Sequence, residues 1–245
     1  MKKGFTLIEL IITMVLLGII SGLGVNILSN VFSGYADSGD KNFLFNEAKF
    51  TFERIEKELR FAVPNSAKAD DTVFQYVVFK KAMFYNNIGT KSIKIYDNLT
   101  NINLTGEKLS IYNLSPSDIF TSNTNLQKLY TVTSMVENTD KSWTLSLNKD
   151  IIADSPYHRC FIVDTPVTVF KEGNKLKRCF DYDVNGSNGV NSGKCSILTS
   201  YVNSVSFQYE AGNSYKNAIL TINLSLQKNG ITVNYKHEVQ LRNAP

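Results

Sequence analysis

Three short segments of the sequence combine residue types that could do chemistry. In the first, Glu9 precedes a stretch from Leu10 to Ala36 that contains no charged residue. A carboxylate next to so long an apolar run is costly unless it is paired, and such groups are usually functional. The second segment is an acidic loop that begins at Asp181, and the third is a set of three cysteines. The chemistries they offer are ion pairing, metal binding and disulfide formation.

The acidic loop reads Asp-Tyr-Asp-Val-Asn-Gly over residues 181–186 and matches the first six positions of an EF-hand calcium loop. Asp181, Asp183 and Asn185 would supply the oxygen ligands. Position twelve is Ser192, however, where such loops need a bidentate glutamate. Because Asp, Asn and Gly are also typical of exposed turns, a plain turn is the favoured interpretation and calcium the open alternative.

The three cysteines are Cys160, Cys179 and Cys195, and none forms a C-x-x-C pair. Zinc and thioredoxin-like sites are therefore not indicated, and an exported protein would oxidise two cysteines and leave one. If residues 172–175 form a turn, Cys179 faces about residue 167, well away from Cys160. We therefore favour a Cys179–Cys195 disulfide, whose closed loop of about 15 residues would stabilise the fold by about 3 kcal/mol. A pairing of Cys160 with either of the others stays open.

Neither an enzyme nor a nucleic-acid binder is indicated. The only imidazoles belong to His158, which lies near Asp154, and to His237, which alternates with apolar positions. A serine close to a histidine in sequence means little, and both histidines are expected to be structural. Nucleotide-binding, nucleophile-elbow and zinc-protease motifs do not occur. The net charge is only +4, and the basic residues form no stripe of the kind that binds nucleic acid.

The N-terminal element that positions Glu9 is long enough to cross a membrane. Residues 10–28 are almost entirely apolar, and about 20 such residues span a bilayer. The lysines at positions 2 and 3 place the N-terminal end in the cytoplasm by the positive-inside rule. A secretory signal peptide would end in a small-residue site, for which residues 21–24 are a loose match. A plain signal anchor would leave Glu9 unexplained.

The string Lys3-Gly4-Phe5-Thr6-Leu7-Ile8-Glu9 resembles the cleavage and methylation site of type IV prepilins and type II secretion pseudopilins. The resemblance implies that a prepilin peptidase cuts between Gly4 and Phe5 and that the new Phe5 amine is N-methylated. Glu9 would then be the fifth residue of the mature chain, with its carboxylate paired to that amine on a neighbouring subunit. Pairing would offset the desolvation of both charges. Other major and minor pilins and an inner-membrane assembly platform are the implied further partners.

An amphipathic helix follows the apolar segment. Its apolar residues recur at spacings of three and four and form one stripe: Leu44, Ala48, Phe52, Ile55, Leu59 and Ala62. Charged residues between 53 and 60 fall on the other faces, and Pro64 is expected to stop the helix.

Residues 38–40 could mark a break between the two helical parts. Residues 18–26 are rich in poor helix formers, and the resemblance to filament pilins implies local melting there.

The helix sequence also resembles a particular branch of the family. Phe52-Glu53-Arg54-Ile55-Glu56-Lys57-Glu58-Leu59-Arg60, followed by Pro64-Asn65-Ser66, is similar to minor pilins of the MSHA pilus and to J-type minor pseudopilins. The resemblance implies a minor structural subunit for assembly, initiation or the tip of an MSHA-like type IV pilus involved in surface attachment. A minor pseudopilin of type II secretion is the alternative. A membrane-anchored ligand-binding module and a tethered periplasmic enzyme are weaker ones.

From Thr72 onward the sequence changes to short β-rich runs. Those runs are residues 73–79, 92–96, 109–112, 129–133 and 143–147, with hairpins over 160–182 and 220–239. We predict an α+β, type IV pilin-like fold, in which a long N-terminal transmembrane and amphipathic helix packs on an antiparallel β-sheet head.

The predicted organisation has four parts. They are a leader over 1–4, a transmembrane or filament-core helix over 5–30, an amphipathic helix over 31–64 and a β-rich head over 65–245. The expected location is the bacterial inner membrane, with the N-terminus cytoplasmic and the head periplasmic, and afterwards the pilus at the cell surface.

Overall fold

The computed structural model describes residues 4, 6–97, 99, 101–184, 189–212 and 216–241. Within them the chain forms one α-helix followed by twelve β-strands. The helix is α1 (Leu7–Leu59). The strands are β1 (Lys68–Asp70), β2 (Val73–Ile88), β3 (Ser92–Ile95), β4 (Lys108–Ile111), β5 (Leu129–Glu137), β6 (Trp143–Leu147), β7 (Arg159–Glu172), β8 (Lys175–Phe180), β9 (Lys194–Thr199), β10 (Val202–Glu210), β11 (Ala218–Lys228) and β12 (Ile231–Leu241). The fold is α+β and type IV pilin-like, as predicted.

Helix α1 has 53 residues, which corresponds to a length of about 80 Å. It runs without interruption through residues 38–40, so the predicted break is wrong. The reason is that Asp40 turns its carboxylate to Lys228 and Asn229 of the head instead of capping a new helix. The helix ends at Leu59 because the chain then joins the sheet, where Val63 N donates to Val77 O at 2.8 Å.

The last three strands form an antiparallel sheet in the order β10-β11-β12. The predicted C-terminal hairpin is confirmed, with Lys228 paired to Ile231. Asn229 and Gly230, the two residues of the turn, both have positive φ, at 51° and 83°. Two positive φ values are typical of the type I′ turn that Asn-Gly favours between twisted strands.

Six further strands close into a ring, which we call the barrel lobe. Strand β2 is long enough to pair with both β3 and β7, and the remaining pairs are β3–β6, β6–β5, β5–β4 and β4–β7. The interior of the lobe is apolar and includes Met83, Tyr85, Tyr130, Leu145 and Cys160. The sequence predicted a single sheet laid on the helix, and this second core was not foreseen.

The other main core joins α1 to the head. Its helical part is the predicted stripe, with Leu44, Ala48, Phe52, Ile55 and Leu59 all buried, while Ala62 beyond the helix end is half-buried. The helix packs against β9, β11 and β12, and the inward side chains of β11 complete the core. The described part of the head therefore has two main hydrophobic cores, one under the helix and one inside the barrel lobe, and a smaller third cluster that includes Val77 and Phe161.

Candidate functional site

Gly4 of the predicted processing site lies just before the start of α1. Gly4 is exposed, and Phe5 lies outside the described residues. Glu9 is in the first helical turn, where its Oε2 accepts hydrogen bonds from Thr6 N and Thr6 Oγ1, each at 3.3 Å. A carboxylate there is favoured by the positive end of the helix dipole. Across the described ranges no cation lies within ion-pair distance of Glu9.

The first half of α1 presents apolar side chains to the surroundings on every face. Its best 18-residue window has a mean hydropathy of 2.3, and none of that window is buried in the head. The exposed set includes Leu10, Ile11, Ile12, Leu16, Ile19, Ile20, Leu23 and Leu28. Residues 10–28 extend about 28 Å as a helix, close to the thickness of the bilayer hydrocarbon. An all-round apolar surface of this size requires lipid or other apolar helices around it.

The second half of α1 is attached to the head by a charged network as well as by its apolar stripe. Glu58 Oε2 accepts hydrogen bonds from Arg178 Nε at 2.7 Å and from Tyr76 Oη at 2.8 Å. Arg54 lies one turn earlier, with its Nε 3.5 Å from Glu58 Oε1. These contacts tie the helix to strands β2 and β8. The sequence placed Glu58 on a face of the helix other than the apolar stripe; in the structure its carboxylate contacts two strands of the sheet.

A second contact holds the helix where it first reaches the head. Lys228 Nζ lies 2.9 Å from Asp40 Oδ1, and Asn229 Nδ2 donates to Asp40 Oδ2 at 2.8 Å. These donors hold the pKa of the Asp40 carboxyl below its usual range. The Lys228 ammonium also lies 4.1 Å from the centroid of the Phe43 ring. The β11–β12 turn therefore binds the helix at Asp40 and Phe43. The apolar half of the helix lies on the N-terminal side of these residues.

Residues 1–25 match the family model of the prokaryotic N-terminal methylation motif. The chain has a type IV prepilin-like N-terminus. No curated protein and no solved structure is significantly similar to the whole chain. The prepilin-like motif points to a structural subunit that is anchored in a membrane, processed by a prepilin peptidase and assembled with other pilins. The exposed apolar half of α1 agrees with membrane anchoring.

The acidic loop of this prepilin-like chain does not bring its described carboxylates together around a cation. Asp181 Oδ2 lies 2.6 Å from Lys194 Nζ, and Asp183 Oδ1 lies 3.3 Å from Lys108 Nζ. Asn185 lies outside the described residues. No group of three or more His, Cys, Asp or Glu side chains suited to a metal occurs in the part of the chain that the structure describes. In the described part of the loop each of the two carboxylates therefore forms an ion pair with a lysine, and calcium binding stays an untested alternative.

The disulfide joins Cys179 on β8 to Cys195 on β9, the pairing favoured from the sequence. The two cysteines are directly opposite each other in the β8–β9 register, and the predicted turn between β7 and β8 places Cys179 opposite Thr168.

Cys160 is the free cysteine and lies inside the barrel lobe. Burial raises the pKa of its thiol, so this cysteine is expected to be unreactive.

Removal of the disulfide is expected to destabilise the head. In the double variant Cys179→Ala/Cys195→Ala the unfolded chain regains the freedom of a loop that spans 16 residues. The free energy of unfolding should fall by about 3 kcal/mol, measured by urea denaturation of the detergent-solubilised chain. Treatment of the unaltered protein with a reductant should shift the urea midpoint in the same direction. An unchanged midpoint in both experiments would contradict a stabilising role.

Each of the two histidines packs against an aromatic ring. His237 stacks on Phe52 at a centroid distance of 4.8 Å, and its Nε2 lies 3.4 Å from Glu56 Oε2. His158 packs edge-on against Tyr85. The sequence predicted structural roles for both. The residues Tyr76 and Arg178, which bind the helix, were not predicted from the sequence. Nothing in the order of the residues indicates that these two side chains contact Glu58.

Proposed function

We propose that this chain is a minor pilin, a structural subunit that serves the assembly, initiation or tip of an MSHA-like type IV pilus involved in surface attachment. One observation supports the proposal above all others. The prepilin-like motif continues without interruption into a single helix whose first half is uncovered and whose second half is buried against a head. Such a chain can leave the bilayer only if other apolar helices replace the lipid, as they would in a filament.

Each part of the N-terminus has a role in this proposal. A prepilin peptidase would cut between Gly4 and Phe5 on the cytoplasmic face of the inner membrane and methylate the Phe5 amine. The Glu9 carboxylate, which meets only Thr6 within its own described chain, would pair with the amine of a neighbouring subunit. In the low-dielectric centre of a filament this pairing offsets the cost of desolvating two charges. The head would face the periplasm before assembly and the outside afterwards.

A minor pseudopilin of type II secretion is the second candidate. The helix sequence from Phe52 to Arg60, with Pro64-Asn65-Ser66 after it, resembles both MSHA minor pilins and J-type minor pseudopilins. Both classes share the processing site, the inner-membrane assembly platform and the helix packing, so the two functions differ only in what the filament does.

The proposal is tested in two steps. Mass spectrometry of the mature protein should find a chain that begins at N-methylated Phe5; an intact Met1, or cleavage near Gly24, would rule out the pilin class. Deletion of the gene should then reduce surface pili and attachment while leaving protein secretion unchanged. Loss of secretion with normal piliation would contradict the minor pilin function and support the minor pseudopilin function.

A further inference from the structure

Arg159 occupies an unusual position at one end of the barrel lobe. It begins strand β7 and pairs with Phe84 on β2. Its guanidinium carbon lies 5.6 Å from the centroid of the Phe84 ring and 5.3 Å from that of Tyr157. Both rings are well exposed, Phe84 at 63% and Tyr157 at 59% of their area. A cation held by two exposed aromatic rings forms a small platform, which we call the Arg159 platform.

Arg159 is the one described arginine without a carboxylate partner. Arg54 and Arg178 pair with Glu58, and Arg60 pairs with Glu56. Within the described ranges no acceptor bonds to the side chain of Arg159, and its Nε is buried. A guanidinium gains most from an oxyanion that can accept two of its N–H groups at once. The platform therefore has unused capacity for a carboxylate.

The loop that carries the platform is fixed before any ligand arrives. The buried Ser155 hydroxyl accepts from Tyr157 N and Arg159 N, each at 3.3 Å, while Ser155 N donates to Tyr85 Oη at 2.8 Å. Tyr85 N in turn donates to His158 O at 2.9 Å, and Tyr85 Oη donates to Asp154. His158 has a φ of 51° at the corner of this turn. A site that is already ordered loses little conformational entropy when a ligand binds, and this favours ligand binding by the Arg159 platform.

The platform also lies far from the assembly helix. Tyr76 on β2 touches Glu58 of α1, and Phe84 is further along the same strand. Eight residues of extended strand cover up to about 26 Å. The Arg159 platform is thus on a part of β2 other than the part that contacts the helix, and both of its rings are exposed.

We propose that the Arg159 platform binds a sugar carboxylate, such as a uronic acid unit of an acidic polysaccharide. Arg159 would hold the carboxylate through its planar fork. Phe84 and Tyr157 would contact the apolar C–H groups of the sugar ring, and the exposed His158 side chain and Tyr157 hydroxyl offer hydrogen bonds to ring hydroxyls. An acidic peptide fits less well, since its recognition usually depends on a cluster of arginines and the platform has one.

The proposal is tested by titration calorimetry on the full chain in detergent, with an oligogalacturonate as the probe. The unaltered protein should bind it, and Arg159→Lys, which keeps the charge but loses the fork, should weaken binding at least about tenfold. Phe84→Leu changes only an exposed side chain, so the lobe should stay folded, and it should weaken binding as well. Arg60→Gln, an exposed arginine on the helix side, serves as the matched control and should bind normally.

Two further probes separate the sources of the carboxylate. The methyl-esterified oligogalacturonate should not bind, because it keeps the sugar rings and lacks the charge. Polyglutamate of similar length should bind at least about tenfold more weakly than the oligogalacturonate. The proposal is overturned if the unaltered protein does not bind the uronate, if the ester binds equally well, or if polyglutamate binds as tightly. The measurement needs no filament, so its result is independent of the pilus or secretion assignment.

Discussion

Glu9→Ala should abolish incorporation of the chain into filaments while the head remains folded. The carboxylate lies at the start of an exposed apolar helix and has only Thr6 as a described partner, so its proposed counter-ion is on another subunit. Loss of one partner leaves the other charge buried and unpaired, at a cost of about 3–5 kcal/mol. That cost corresponds to a loss of more than about 100-fold in incorporation. Immunoblots of sheared filaments against the membrane fraction measure the effect.

Two variants make the Glu9 experiment specific. Glu9→Gln keeps the size of the side chain and should fail in the same way, because the charge is what pairs. Thr13→Ala alters a neighbouring exposed polar residue of the same helix, whose hydroxyl donates to Leu10 O, and should assemble normally. Normal incorporation of Glu9→Ala would remove Glu9 from the assembly site.

Ile55→Ala should destabilise the joint between helix and head by about 2–5 kcal/mol. Ile55 is only 2% exposed and lies in the middle of the buried stripe, among side chains of the helix core. Truncation removes buried methyl groups and leaves a cavity that a sheet and a long helix cannot easily fill. Urea denaturation followed by near-ultraviolet circular dichroism gives the change in the free energy of unfolding.

Phe50→Ala is the matched control for Ile55→Ala. Phe50 is a larger apolar residue on the same helix, but 59% of its area is exposed in the single chain. Its truncation should change the free energy of unfolding by no more than about 0.5 kcal/mol. Equal losses from the two variants would show that the stripe does not hold the helix to the head.

Local patterns explain why much of the fold was predictable. The stripe from Leu44 to Leu59 repeats with the period of a helix, and the alternation in β11 and β12 repeats with the period of a strand. Asn229 and Gly230 signal their turn by residue type alone. Strand β10 was missed although the alternation of Val205, Phe207 and Tyr209 is readable in the sequence. Strand β9 has a weaker pattern, because several of its residues are polar.

The barrel lobe could not be predicted in the same way. Strand β2 serves two cores, and its pairing with β7 is irregular between Val77 and Lys81, so no single alternation runs along it. The pairs that close the ring join strands far apart in sequence, and nothing local specifies them. The same distinction applies to the sites: the N-terminal motif is a continuous string, whereas Glu58 and Arg159 acquire their surroundings only in the folded chain.

The closed ring also has a consequence for the order in which the chain folds. The ring includes the pairing of β7 with β2, two strands that have four other strands between them in the chain. Such non-local contacts require the largest loss of chain entropy and form slowly, whereas the β11–β12 hairpin can form early. We expect the lobe to be the last part of the head to mature after export. Because Phe84 and Arg159 are partners across the β2–β7 pair, the Arg159 platform exists only in heads in which these two strands have paired.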